Sequence, residues 1–234
     1  MKRATSFGAS AVLILILMSA NAFAQTESSA VKTIQAGNPY AVTEPMIAVN
    51  PTDEKNFIAV YSNWHDPITR RAGSSRTTDG GDTWTGIEVP FVRNFDQADP
   101  TVTFDADGRA YYCFLDLQVP YGSGKSAIVV ARSNATDKGS VWSDTSVVIE
   151  GQSPTVHDKP WIISDRSSGQ FRNSLYVVWT RIDNYGDRNG WLLYTIYLSY
   201  KRPGQTYFSA PIQVSSVASI QASGEDVEGA CPVV

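Results

Sequence analysis

The sequence predicts an all-β chain built from repeated four-stranded antiparallel units, and three observations predict it. The residues are rich in Val, Ile, Thr, Tyr and Trp, with turns of Gly, Pro, Asn and Asp, and no stretch after residue 25 keeps a helical apolar period. An acidic residue, a proline and a short apolar strand open each of four successive cycles. A turn of one chemistry then recurs at one phase of the cycle. A four-stranded unit repeated in this way is the pattern of a β-propeller blade.

Taking the chain in order, residues 1–24 read as a cleavable signal peptide: basic Lys2 and Arg3, an apolar run from Ala11 to Met18, and the small-x-small site Ala22-Phe23-Ala24. The run is too short to anchor in a bilayer, so the mature protein is expected to be periplasmic or extracellular with no membrane span. Cleavage removes Lys2 and Arg3 and no acid, which takes the net charge from −4 to −6. A mildly acidic exported chain carries no electrostatic footprint for nucleic acid. Residues 25–39 are polar and read as a flexible lead-in.

The first cycle opens at Glu44-Pro45, the second at Asp99-Pro100, the third at Asp158-Lys159-Pro160 and the fourth at Glu228, before Pro232. The prolines are 55, 60 and 72 residues apart, room for four strands each. The expected units are about 40–95, 96–152 and 153–222, with a fourth beginning at 223–234. In the first three a turn follows at Asn50, Asp105 or Asp165, then second strands over 56–61, 110–116 and 174–181 and third strands near 74–78, 126–133 and 192–201. A β-sandwich would not place one turn at one phase of every cycle.

The recurring turn follows the third strand and is clearest at Thr77-Thr78-Asp79-Gly80-Gly81-Asp82-Thr83-Trp84. Asp bonds its own backbone two residues on, and Gly accepts positive φ without a Cβ clash. A second copy, Asp137-Lys138-Gly139-Ser140-Val141-Trp142, has Ala135 where a hydroxyl is expected, and a third near Ser199 to Tyr207 is weaker. The spacing resembles the Asp box of the sialidase superfamily, Ser/Thr-x-Asp-x-Gly-x-Thr-Trp. The resemblance implies six blades in a complete domain, so that 40–234 would be the N-terminal portion of a propeller with closure by oligomerisation as the alternative. It also implies that Thr77, Asp79, Gly81, Thr83, Trp84, Asp137, Gly139 and Trp142 are structural, on the outer rim.

Chemistry in a propeller belongs to the mouth of the central channel. Glu44, Asp99, Asp158 and Glu228 precede the innermost strand in every cycle, a phase that would set four carboxylates round one opening. They could supply the carboxyl pair of glycoside hydrolysis, ring a cation such as calcium, or accept amide hydrogen bonds from a neighbouring strand and fix its register. Loops after the second strands add Trp64, His65, Asp66, Tyr121 and Tyr185, mixing acids with rings that can stack on sugars. Resemblance to sialidases makes Asp66 the candidate acid/base and a glycan or glycoconjugate the expected partner. Sialidases open their first blade with an Arg-Ile-Pro motif, whereas Tyr40-Ala41-Val42-Thr43-Glu44-Pro45 has no arginine. A non-catalytic glycan- or protein-binding propeller, or an inactive truncated product, is the alternative function. His65 and His157 stand without a zinc-ligand spacing, and no other cofactor is expected. Cys113 and Cys231, two units apart, are expected to be buried free thiols or to pair outside this chain.

Overall fold

A computed structural model describes residues 42–64, 70–89, 96–117, 125–185, 190–221 and 229–234, with backbone only at Trp64, Ile220 and Gln221. The signal peptide, the lead-in, His65, Asp66, Tyr121 and Glu228 lie outside the described residues. The first sheet runs β1 (Val42–Asn50), β2 (Asp53–Trp64), β3 (Arg70–Thr77) and β4 (Thr85–Ile87), paired antiparallel in that order. The second repeats it with β5 (Asp96–Phe104), β6 (Ala110–Leu117), β7 (Lys125–Ser133) and β8 (Ser143–Gln152). The third has β9 (Val156–Ser164), β10 (Leu175–Asp183) and β11 (Trp191–Lys201), whose outer edge pairs with two short strands, β12 (Ile212–Gln213) and β13 (Ala218–Gln221). The expected all-β architecture of antiparallel four-stranded blades is therefore the observed one. Among the described residues no helix is long and apolar enough to cross a membrane.

The repeat has a local cause at the first turn of every sheet. Asn50, Asp105 and Asp165 are buried, and each side chain accepts the amide two residues on, from Thr52 at 2.9 Å, Asp107 at 3.0 Å and Ser167 at 2.7 Å. The side chain replaces a backbone partner, which turns the innermost strand back into the second. Asn50 also holds Asn56, whose Nδ2 reaches Thr77 O at 2.9 Å. One buried amide pair thus ties three strands of the first sheet.

The second sheet lies between the other two and is buried on both faces, so β6 and β7 read as nearly unbroken apolar runs. Tyr112, Phe114, Ala127 and Val129 face Ile58, Val60 and Ala72 of the first sheet. Their neighbours Cys113, Leu115, Ile128 and Val130 face Ile162, Val177 and Trp179 of the third. Trp142 is 7% exposed, packs on Tyr112 with centroids 5.3 Å apart and donates its indole N–H to Ser74 Oγ at 2.9 Å. It fastens the second sheet to the first.

At the Thr77–Trp84 turn, Asp79 accepts Thr77 Oγ1 at 2.6 Å and both the amide and the hydroxyl of Thr83, while Thr77 Oγ1 accepts the Gly81 amide at 3.0 Å. Those hydroxyls and the Thr83 amide hold the Asp79 carboxyl well below the usual carboxylate range. Gly80 and Gly81 take φ of 82° and 100°. In the second sheet the role of Thr77 falls to Ser133, whose hydroxyl accepts the Gly139 amide at 3.1 Å. The missing hydroxyl at Ala135 is thus supplied two residues earlier, while Asp137 accepts the side-chain amide of Asn134.

Three expectations are corrected. The second strands of the first and third sheets run on to Trp64 and Asp183, because their partner strands continue alongside them. Gly229–Val234, expected to open a fourth unit, carries no strand, since no described segment forms a ladder with it. Cys113 is a buried free thiol, with burial pushing its pKa up, but Cys231 is exposed, its segment having no sheet to bury it.

Candidate functional site

Each innermost strand breaks its ladder at the proline that opens the cycle. Pairing of β1 with β2 shifts between Thr43 and Met46, and that of β5 with β6 between Ala98 and Thr101. Between β9 and β10 it passes from Trp161↔Val178 to Asp158↔Thr180. Proline cannot donate to a ladder, so each Pro sits in a bulge. The residue before it takes positive φ in all three: Glu44 at 54°, Asp99 at 50° and Lys159 at 46°. Non-glycine residues adopt that conformation at a cost of about 1–3 kcal/mol, and such sites cluster where a side chain must be aimed.

The bulges aim these three side chains at one another. Lys159 Nζ lies 3.1 Å from Glu44 Oε1 and 2.8 Å from Asp99 Oδ1. Glu44 Oε2 accepts the Ser62 hydroxyl at 2.6 Å and the Asp99 amide at 3.1 Å, so one carboxylate joins the first two sheets. Asp158 turns back to accept the amide of Lys159 at 2.9 Å and stands beside Asp99. Three of the four predicted acids are thus together, but the third sheet's counterpart of Glu44 and Asp99 is Lys159, not Asp158. The sequence carried a usable signal in the residue immediately before each proline; aligning on the acids instead shifted the third cycle by one residue. Below this charged rim a cavity of about 210 Å³ is walled by Pro45, Pro100 and Pro160 with Met46 and Trp161.

The two carboxyls are driven apart in acidity. Burial opposes ionisation of Glu44, but hydrogen bonds with Asp99 and Ser62 and the Lys159 ammonium outweigh it and hold the group at about 2. Asp99, with a side chain only 9% exposed, is pushed up to about 8 by burial and then by Glu44 and Asp158. The surroundings thus favour the ionised form of Glu44 and oppose ionisation of Asp99. No three His, Cys, Asp or Glu side chains among the described residues are arranged to hold a metal ion, and the Lys159 ammonium fills the place between the carboxyls.

β2 ends at Trp64, on the end of the first sheet where Val42 and Thr43 pair with Asn63 and Ser62. The chain therefore enters the segment holding His65 and Asp66 from the end that carries Glu44. Tyr185 packs its ring with Val156, Ile182 and Tyr194 of the third sheet, and its amide bonds Pro154 O at 2.8 Å. His157 is a core residue: Trp179 Nε1 donates to its Nδ1 at 3.1 Å, which leaves Nε2 to carry the proton toward Glu150 O at 3.3 Å. Burial lowers its pKa to about 4, so the ring is neutral.

No protein-family model and no curated protein matches this chain. Solved structures match it in fold. The GH93 α-L-arabinofuranosidase of Fusarium graminearum, in complex with arabinobiose, superposes with a TM-score of 0.54 at 15% identity over 74% of this chain and 48% of its own. The Penicillium chrysogenum α-L-arabinanase complexed with arabinobiose gives 0.54 at 14% identity, over 77% and 52%. A Hadza microbial sialidase gives 0.52 at 17% identity, over 73% and 37%. The chain spans about half the length of the first two and less of the third. At these identities the likeness is one of fold, and that fold is the β-propeller of antiparallel four-stranded blades.

Proposed function

We propose that this chain is part of an exported, glycan-acting propeller hydrolase whose Glu44–Asp99 pair holds a proton at the inner ends of the strands. The observation that carries the reading is the pair itself. Residues 55 positions apart in the chain meet through two matching bulges, with Glu44 pushed down in pKa by its partners and Asp99 pushed up by burial and its carboxylate neighbours. Titratable neighbours pushed apart in this way mark acid and base roles.

Glycoside hydrolysis needs a second carboxyl about 5–10 Å from the first, leaving room for the sugar. Glu44 and Asp99 are in contact and act as one proton-holding unit, so the separated group comes from elsewhere. Asp66, outside the described residues, is our candidate, as acid/base, by its resemblance to the sialidase position. The finer sialidase reading is supported by the Thr77–Trp84 turn and opposed by the missing arginine before Pro45. A non-catalytic glycan-binding propeller is the second reading, favoured by one observation: the Lys159 ammonium bonds both carboxyls.

The test begins with the intact mass of the exported protein from its native source, which reports signal cleavage and any further blades. That species is then assayed on α-L-arabinosides and sialosides beside its Asp99→Asn and Asp66→Ala variants. Hydrolysis lost in both variants is expected. Retention of glycan without hydrolysis in the parent would replace the enzyme with the binder.

A further inference from the structure

A larger cavity, of about 650 Å³, opens between the second and third sheets, far from the axial acids. Lys201 at its wall pairs with Leu175, which pairs with Ser164, at the opposite end of β9 from Asp158. Six residues of strand at about 3.3 Å each put about 20 Å between the two levels. The volume is that of a ligand site, roughly 300–1,000 Å³.

The charge of this cleft is opposite to that of the chain. Arg109, Arg132, Lys201 and Arg202 line it against a single carboxylate, Asp144, in a protein of net charge −4. Arg109 is neutralised by Asp105 and Asp107, and Arg132 pairs with Asp144 through one end of its guanidinium. The Nε of Arg132 is buried with no hydrogen-bond partner among the described residues. Lys201 makes no ion pair among the described residues; its ammonium lies 5.7 Å from the centroid of the Phe208 ring. Burial and then the neighbouring Arg132 depress its pKa, and the Asp144 carboxylate only partly opposes them.

The rest of the lining suits a sugar. Thr145, Ser146 and Thr206 offer hydroxyls, and Phe208 offers a ring face. Tyr207, between two lining residues, is 81% exposed. Of these two rings only Phe208 lines the cleft, and a ring face there is a stacking platform for a pyranose.

We infer that this cleft binds an acidic glycan, with a carboxylate or sulfate held between Lys201 and Arg132 and a sugar ring against Phe208. The site is separate from the axial cluster, and its occupancy does not require hydrolysis there.

Affinity electrophoresis of the full chain through gels containing polygalacturonate or neutral arabinan tests this. Polygalacturonate should retard the protein at low salt and much less at high salt, because exposed ion pairs are screened, while any retardation by neutral arabinan should not depend on Lys201. Lys201→Met keeps the apolar stem over Phe208 and should weaken retention by about tenfold, the worth of one charge-assisted hydrogen bond. Lys201→Arg should preserve retention, and Phe208→Leu should weaken it severalfold. Glu44→Gln should leave this retention unchanged, which separates it from the axial site. The inference is overturned if polygalacturonate fails to retard the parent at low salt, or if a folded Lys201→Met chain is retarded as strongly as the parent. Displacement by inorganic sulfate as complete as by oligogalacturonate at equal charge would also overturn it, reducing the cleft to a small-anion site.

Discussion

Replacing Trp142 tests the contact that joins the first two sheets. The indole is 7% exposed, stacked on Tyr112 and bonded to Ser74 Oγ at 2.9 Å. A buried tryptophan removes about 150–250 Å² from water, worth about 4–6 kcal/mol at about 25 cal/mol per Å². Partial collapse of the site brings Trp142→Ala to about 3–5 kcal/mol of lost stability. Trp142→Phe keeps most of the ring contact and should lose about 2 kcal/mol, of which about 1 is the hydrogen bond. Ser74 still donates to Ile87 O in that variant, so no buried hydroxyl proton is stranded. Urea unfolding followed by far-UV circular dichroism is the assay, because six tryptophans blur a fluorescence signal. A double-mutant cycle with Ser74→Ala should isolate a coupling of about 1 kcal/mol. The reasoning is refuted if Trp142→Ala costs less than about 1.5 kcal/mol, or if Trp142→Phe costs as much as Trp142→Ala.

Three further outcomes follow from the same geometry. Asp99 has its folded pKa raised from 3.8 to about 8, so its contribution is full below pH 4 and is lost as pH rises through 8. The parent should therefore melt lower at pH 9 than at pH 6, and Asp99→Asn, with no proton to lose, should show a smaller drop in a thermal scan. Gly139→Ala would drive a Cβ into Ile58 Cδ1 at a φ of 79°, and should cost about 2–4 kcal/mol in urea unfolding, partly recovered by Ile58→Val. Gly80→Ala has a similar φ of 82° but open space around it, and should cost only about 1–2 kcal/mol.

The split between what could be read from the chain and what could not follows the range of the interactions. The strands, their order and the turn at Thr77–Trp84 rest on local chemistry: alternation of side chains, Asx turns, and glycines where φ is positive. Each sits within a few residues of its cause, so the repeat was legible. Even the Ala135 gap was local, but its remedy came from Ser133, because a longer turn can reach the same amide from farther back.

The site was legible only as a set of acids at one phase. The sequence alone determined that Glu44, Asp99 and Asp158 precede inner strands, since the prolines beside them punctuate the chain. Only the tertiary structure decided that Lys159, rather than Asp158, meets Glu44 and Asp99, because a bulge in each strand selects which of two adjacent side chains turns inward. It alone brought Arg132 and Lys201 to one cleft from different sheets, 69 residues apart. The acidity of Asp99 is likewise tertiary: burial and two carboxylates from other strands push it up, and no residue adjacent to it in sequence carries that charge.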